Sequence, residues 1–282
     1  MMKFSKKTVL ALAVIAAMSI FTQPIAAGEI EDAAESLLKA EKDIAPTPTL
    51  SKILKEPTKE NAYKVQNVYV AKKLENDKIA GYKGAMTSET LMKTFGTNEP
   101  GIGAIFQSGM IPIGTAVKLF RGGIMLEEEI GYRFSSKIDA PLTDVAQVKA
   151  AISTIFPAIE VPLVGFASLQ GVNSIDMIAA NVGGYACIAG TEKPLADTDV
   201  NAITMKATLN GEDFNSGAGT DALGDQWSTL LNLVNIIVEN GYTIEPGQFI
   251  ISGAMGKMLP AKPGNYVVDY GDFGSISFTV EK

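Results

Sequence analysis

Ile124-Met125-Leu126-Glu127-Glu128-Glu129-Ile130-Gly131-Tyr132-Arg133-Phe134 is the stretch whose reading decides the fold. Written as an extended strand, its side chains alternate, so Glu127 and Glu129 share one face while Leu126, Ile130, Tyr132 and Phe134 share the other, with Glu128 as the polar exception. Two carboxylates held side by side repel, and a divalent cation between them relieves the repulsion. A solvated acidic edge is the other reading that this segment alone allows.

Two further segments bear on the first. In Phe156-Pro157-Ala158-Ile159-Glu160-Val161-Pro162, Glu160 stands in an apolar run where an unpaired charge is costly; a metal or a cationic partner removes that cost, and an exposed edge strand avoids it. In Gly81-Tyr82-Lys83-Gly84-Ala85-Met86-Thr87-Ser88, a lysine between glycines permits close approach of a ligand. Its ammonium can hold a carboxylate, or shuttle a proton if burial lowers its pKa, although taken alone the segment reads as a surface turn. Asn215-Ser216-Gly217-Ala218-Gly219 reads as a flexible loop that either faces a ligand or simply turns the chain. Gly101-Ile102-Gly103 lacks the third glycine and the context of a dinucleotide site, and no phosphate-binding loop ending in Gly-Lys-Ser/Thr occurs.

The composition narrows the chemistry. The 282 residues include no histidine and one cysteine, Cys187. That excludes Ser-His-Asp and Cys-His machinery, zinc sites built on His or on several Cys, and an intrachain disulfide. A bound metal must be held by oxygen, which favours magnesium, manganese or calcium. Hydrophobic residues make up 46% and charged residues 20%, the balance of a chain with a filled core.

Lys3, Lys6 and Lys7 precede an apolar run from Val9 to Phe21, and small residues follow at Ala26 and Ala27. This predicts a secretory signal over residues 1–27, hence export to a periplasmic or extracellular location with no stable membrane anchor once the segment is removed. The remaining chain has 21 basic and 31 acidic residues, a net charge of −10, which disfavours nucleic acid and anionic membranes.

Residues 28–80 read as an N-terminal helical segment, with helices from Glu29 to about Asp43 and from about Lys59 to Asp77; Val65, Val68 and Tyr69 share a face of the second. Residues 81–282 read as a sheet-rich domain carrying two helices. The first is expected to be capped by Thr143 and to run through Val145, Val148, Ile152 and Ile155. The second carries Trp227, Leu230, Leu231, Val234 and Val238 and stops at Gly241. Strands fill the tail from Phe249 to Val280, and the class is α+β.

In order and spacing these segments resemble the 2-keto-4-pentenoate hydratase and 4-oxalocrotonate decarboxylase group of the fumarylacetoacetate hydrolase superfamily, over roughly residues 60–282. The elements are residues 81–88, Glu-x-Glu-Ile at 127–130, Pro-Ala-Ile-Glu at 157–160, Ser-Gly-Ala-Gly at 216–219, Ala-Leu-Gly at 222–224, Leu-Val-Asn at 233–235 and Ile-Ser-Gly at 251–253. The resemblance implies a mixed β-roll with flanking helices and an N-terminal helical layer. It implies Glu127, Glu129 and Glu160 as ligands of magnesium or manganese, Lys83 and Ser216 as catalytic positions, and a homo-oligomer.

The implied activity is that of a hydratase acting on a small unsaturated 2-oxo acid such as 2-hydroxypenta-2,4-dienoate. Decarboxylation of a 2-oxo acid and non-catalytic binding of one by an exported protein are the alternatives. The superfamily's carbon-carbon hydrolases commonly use a His-Glu pair, which this chain cannot build. There are departures: Leu163-Val164-Gly165 stands where the family commonly has Asp-Ser-Arg, Ala180-Asn181 where Asp-Asn is common, and Gly264-Asn265 where Gly-Asp is common. The carboxylate set is therefore kept while the charged groups expected around a substrate change.

Overall fold

A computed structural model of the chain describes residues 27–196 and 198–282. The expected signal segment lies outside the described residues except for Ala27. No described helix is long and apolar enough to cross a membrane.

Among the described residues the helices are α1 (Ala27–Lys42), α2 (Lys59–Lys73), α3 (Glu89–Phe95), α4 (Val145–Ala151), α5 (Ser174–Ala179) and α6 (Gln226–Glu239). The strands are β1 (Ile79–Ala85), β2 (Gly101–Phe106), β3 (Val117–Lys118), β4 (Met125–Phe134), β5 (Ile152–Val161), β6 (Ala186–Ala189), β7 (Lys193–Pro194), β8 (Thr204–Leu209), β9 (Glu212–Ala218), β10 (Phe249–Ile251), β11 (Leu259–Pro260), β12 (Gly264–Asp269) and β13 (Ser275–Glu281). One sheet runs β2-β1-β10-β4-β5-β6, with β11 added to β4 and β7 to β5; a second runs β3-β13-β12-β8-β9. The first is mixed, since β1 pairs with β10 in parallel and the other ladders are antiparallel.

The larger sheet curls until its ends meet. Just past β2, the Ile111 N–H donates to the Cys187 carbonyl of β6 at 2.9 Å. The curl encloses a small apolar core of Ile105, Phe156, Ala158, Cys187, Phe249 and Ile251, separate from the main core outside. Close backbone approach makes the closure possible: a Cβ on Gly131 would lie 2.3 Å from the Phe156 ring. The outer face of β4 carries Leu126, Ile130, Tyr132 and Phe134 into the main core, where α6 packs through Leu230, Leu233, Val234 and Ile237.

The N-terminal helices form as expected, α1 burying Ile30, Ala33, Ala34 and Leu37 and α2 capped by the Thr58 hydroxyl, which accepts from the Asn61 N–H at 3.2 Å. Three local expectations are corrected. Asp144, not Thr143, caps α4, its carboxylate accepting from the Gln147 N–H at 3.0 Å. That helix ends at Ala151, so Ile152 and Ile155 belong to β5, where branched side chains pack on a pleated surface more readily than on a helix. Residues 215–218 are not a loop but the end of β9, held in register by β8.

Candidate metal centre

Strand pairing assembles the site. Glu127 on β4 lies directly opposite Glu160 on β5, and Glu129 lies opposite Ala158. Residues opposite one another in an antiparallel ladder point to the same side, so Glu127, Glu129 and Glu160 converge on the inner face of the curled sheet. All three are buried, with Glu129 and Glu160 fully so. β4 and β5 are interior strands, which removes the edge-strand readings of both segments.

Lys83 reaches the same place from β1 and is likewise buried, its Nζ 2.6 Å from Oε1 of Glu160. The surface-turn reading of this segment is therefore corrected. The flanking glycines serve packing: a Cβ on Gly81 would lie 2.5 Å from the Phe249 carbonyl oxygen, and one on Gly84 would lie 2.8 Å from a Leu233 methyl.

One oxygen from each glutamate lies within 4.8 Å of the others. Two oxygens that bind one hard cation at about 2.1–2.5 Å are at most about 4–5 Å apart, so the spacing fits a shared ion. The donor set fits as well. Oε1 of Glu160 faces the Lys83 ammonium, but Oε2 of Glu160 and Oε1 of Glu129 are buried without a hydrogen-bond donor, an arrangement costly for carboxylates that have no further partner. The second Glu129 oxygen accepts from the Gly253 N–H at 2.6 Å, which fixes the carboxylate with its free oxygen turned to the others. Gly253 can be only glycine there: its φ is +112°, and a Cβ would fall 1.9 Å from the Thr87 hydroxyl.

Burial, then the Glu160 charge, raises the Glu127 carboxyl to about 8 against the opposing pull of Lys83. Burial followed by the Glu160 and Glu127 charges pushes Glu129 well above the usual carboxylate range. For Lys83, burial acts to lower the pKa, but Glu160, Glu127 and Glu129 outweigh it and hold the ammonium above the ordinary lysine value. Lys83 is thus a buried cation, and the condition set for a depressed amine, a pKa lowered by burial, is not met. Cys187 lies directly opposite Glu160 on β6 as a fully buried thiol, pushed well up by burial and by Glu160 and Glu129.

The pocket over the site is lined by Lys83, Glu127, Thr87, Leu91, Phe95 and Met258, among others. Ser216 is not among the lining residues; it is exposed on β9 of the second sheet. Its neighbour Asn215 instead donates at 2.7 Å to Glu128, which sits on the outer face of β4, with its other oxygen lacking a partner. Burial lifts Glu128 to about 7, with the Asn215 hydrogen bond opposing. Sequence reasoning missed Gly253, whose N–H holds Glu129, and Thr87, which packs against Gly253. Both stand within segments that carry the resemblance, at 251–253 and 81–88.

No family model matches the chain. It is 29% identical over 250 residues to a 4-oxalocrotonate decarboxylase of Pseudomonas sp. (strain CF600), covering 86% of this chain and 94% of that enzyme. It is 25% identical over 239 residues to a 2-keto-4-pentenoate hydratase of Paraburkholderia xenovorans (strain LB400), covering 83% and 88%. The solved structure of a 4-oxalocrotonate decarboxylase from Pseudomonas putida G7, complexed with magnesium and adipate, superposes with a TM-score of 0.84 at 27% identity, over 90% of this chain and 98% of that one. A yeast fumarylacetoacetate hydrolase family protein shares the fold at 13% identity and a TM-score of 0.54, over 71% and 92%.

Proposed function

The chain is a distant homologue of 2-keto-4-pentenoate hydratase and 4-oxalocrotonate decarboxylase with the fumarylacetoacetate hydrolase superfamily fold, and from that premise we propose that it is a divalent-cation-dependent lyase acting on a small 2-oxo acid. The observation that carries the reading is the convergence of three buried glutamates, two of them (Glu129 and Glu160) with an oxygen that no donor meets, beside a buried lysine. Glu127, Glu129 and Glu160 are the proposed ligands of magnesium or manganese. A cation held there supplies Lewis-acid polarisation to the carboxylate and keto oxygens of the substrate.

The chain's own groups do the rest. Lys83 keeps a proton on Nζ at the floor of the pocket, where it can orient the substrate carboxylate or deliver that proton to carbon. Gly253 holds Glu129 in place through its N–H. Leu91, Phe95 and Met258 present apolar surface suited to an unsaturated chain and exclude water around it. The pocket has about 30 Å³ of free volume. Ligand pockets are typically about 300 Å³ or more, so these side chains must move to admit a substrate.

Hydration of an unsaturated 2-oxo acid is placed ahead of decarboxylation. The deciding assay supplies 2-hydroxypenta-2,4-dienoate or 4-oxalocrotonate with magnesium or manganese and identifies the product. Addition of water supports the hydratase and release of carbon dioxide the decarboxylase. Absence of turnover across related 2-oxo acids, with metal bound, overturns the lyase reading. Leu163-Val164-Gly165 favours a second reading, non-catalytic binding of a 2-oxo acid, which calorimetric binding without consumption would support. Export is a further proposal resting on residues 1–27. N-terminal sequencing of the protein recovered from its native host should find a start near Gly28, and an intact Met1 overturns it.

A further inference from the structure

A second cavity, about 350 Å³, lies between the N-terminal helices and the segment 163–166. Neither Lys83 nor any of Glu127, Glu129 and Glu160 lines it; it shares only the side walls of Val164 and Met177 with the pocket over the glutamates. Its volume alone suits a small organic ligand.

Its lining defines the ligand's chemistry. The chain has two arginines: Arg133 pairs with Glu192, whereas Arg121 has no carboxylate partner among the described residues. One Arg121 Nη2–H is committed to the Gly165 carbonyl at 3.0 Å, a carbonyl that also accepts from the Thr47 N–H at 2.9 Å. The guanidinium is thereby anchored in the cavity wall with its other donors available. Gly165 makes room for it: a Cβ there would stand 2.7 Å from Arg121 Nη2 and 2.8 Å from the Thr47 hydroxyl. Lys73 adds a second cation, but Glu41 pairs with it and also accepts from the Tyr69 hydroxyl at 2.7 Å. The charges of Lys73 and Glu41 offset each other, and Arg121 is left as the uncompensated one.

Aromatic rings stand in the remaining wall beside aliphatic side chains such as Leu37, Ile111 and Met177. Phe106, Phe120, Phe166 and Tyr185 line the cavity, and the Phe120 and Tyr185 rings lie 5.6 Å apart. A guanidinium fork matches a carboxylate in geometry and charge, and aromatic faces match a flat apolar body. We propose that this cavity is a binding site for a small aromatic or conjugated monocarboxylate, its carboxylate on Arg121 and its body between Phe120, Tyr185 and Phe166. The proposal does not depend on the lyase reading.

The test titrates benzoate, and benzamide as its uncharged counterpart, into the chain in the presence of a chelator. Calorimetry and the arginine Nε–H resonances are followed; with two arginines in the chain, the resonance lost in Arg121→Gln identifies Arg121. Benzoate should bind saturably and shift the Arg121 resonance. Benzamide binding and benzoate binding to R121Q should both be weaker by about tenfold, the scale of one lost charge-assisted contact. Phe120→Ala, at an exposed ring, should weaken benzoate with folding intact even if R121Q fails to fold. Glu160→Gln should leave benzoate binding unchanged. Absence of saturable binding overturns the proposal, as does binding that R121Q leaves unchanged or that E160Q alters, the latter placing the anion beside Lys83 and the glutamates. Because the measurement is metal-free, a failed lyase assay leaves this result standing and the reverse holds too.

Discussion

Three consecutive glutamates on β4 have opposite fates on its two faces. On the inner face, Glu127 and Glu129 meet a third carboxylate from β5, an ammonium from β1 and a backbone N–H from Gly253. On the outer face, Glu128 is just as buried but meets a single amide, that of Asn215. Burial raises the pKa of all three. What separates a candidate metal centre from an isolated buried acid is therefore convergence: several oxygens without donors aimed at one point, with neighbours that fix their direction.

The strongest way to break that contrast is to remove a ligand from the inner face. Glu160→Gln should weaken magnesium or manganese binding by at least about 100-fold, some 2.7 kcal/mol, measured by calorimetry, and it leaves the Lys83 ammonium short of its nearest counter-charge. A near-native affinity would show that the three carboxylates do not act together. Lys83→Met should lower turnover by about 10²- to 10⁴-fold, the usual range for a proton-transfer group, while metal binding persists. Loss of both together would reduce Lys83 to a structural counter-ion.

A third measurement uses pH. Folded-state pKa values raised above the unfolded ones mean that the folded chain holds extra protons between the ordinary glutamate value and about 8 for Glu127. The stabilisation they give is complete below the unfolded pKa and is lost as pH rises through the folded one. A cation needs those protons gone, so the rise in Tm on adding manganese should be small at acidic pH and grow through pH 8. A rise independent of pH would contradict binding at these carboxylates.

Glu128→Gln should leave metal affinity unchanged. Because burial lifts the Glu128 carboxyl to about 7, the wild-type chain loses stability as pH rises from the ordinary glutamate value to about 7, so the variant's relative Tm should improve across that window and level off above it. The smallest effect is expected at Ser216, exposed and away from the pocket lining. Ser216→Ala should hold kcat/KM within about twofold, well under 1 kcal/mol, and a large loss would show that β9 moves to the site during turnover.

What a single segment shows and what it hides divide along the same physical line. Glu127 and Glu129 sharing a face follows from the period of a strand and is legible in one segment. Their meeting with Glu160 depends on the β4–β5 register, which no single segment contains; the resemblance supplied the grouping and the register explains it. Lys83 misleads as a turn residue because Gly81 and Gly84 look like chain reversals, whereas they admit Phe249 and Leu233. Ile152 and Ile155 mislead because their spacing after Val148 imitates a helix face, and only their place beside β4 assigns them to a strand. The Arg121 cavity was not legible at all, since it brings together residues from α1, α2 and the segments near 120 and 165.

The closure of the larger sheet has a consequence for association between chains. Its ends meet at the Ile111–Cys187 hydrogen bond, and side chains cover the β2 edge: Asn181 bonds both the N–H and the carbonyl of Ala104, Gln66 donates to the Ile102 carbonyl and the Tyr63 hydroxyl accepts from the Ile102 N–H. The smaller sheet ends on two-residue β3 and on β9, which opens with Glu212 and Asp213. Short or acidic margins are poor templates for another strand. Continuous β-pairing from molecule to molecule, the route to fibres, is thereby disfavoured at these margins.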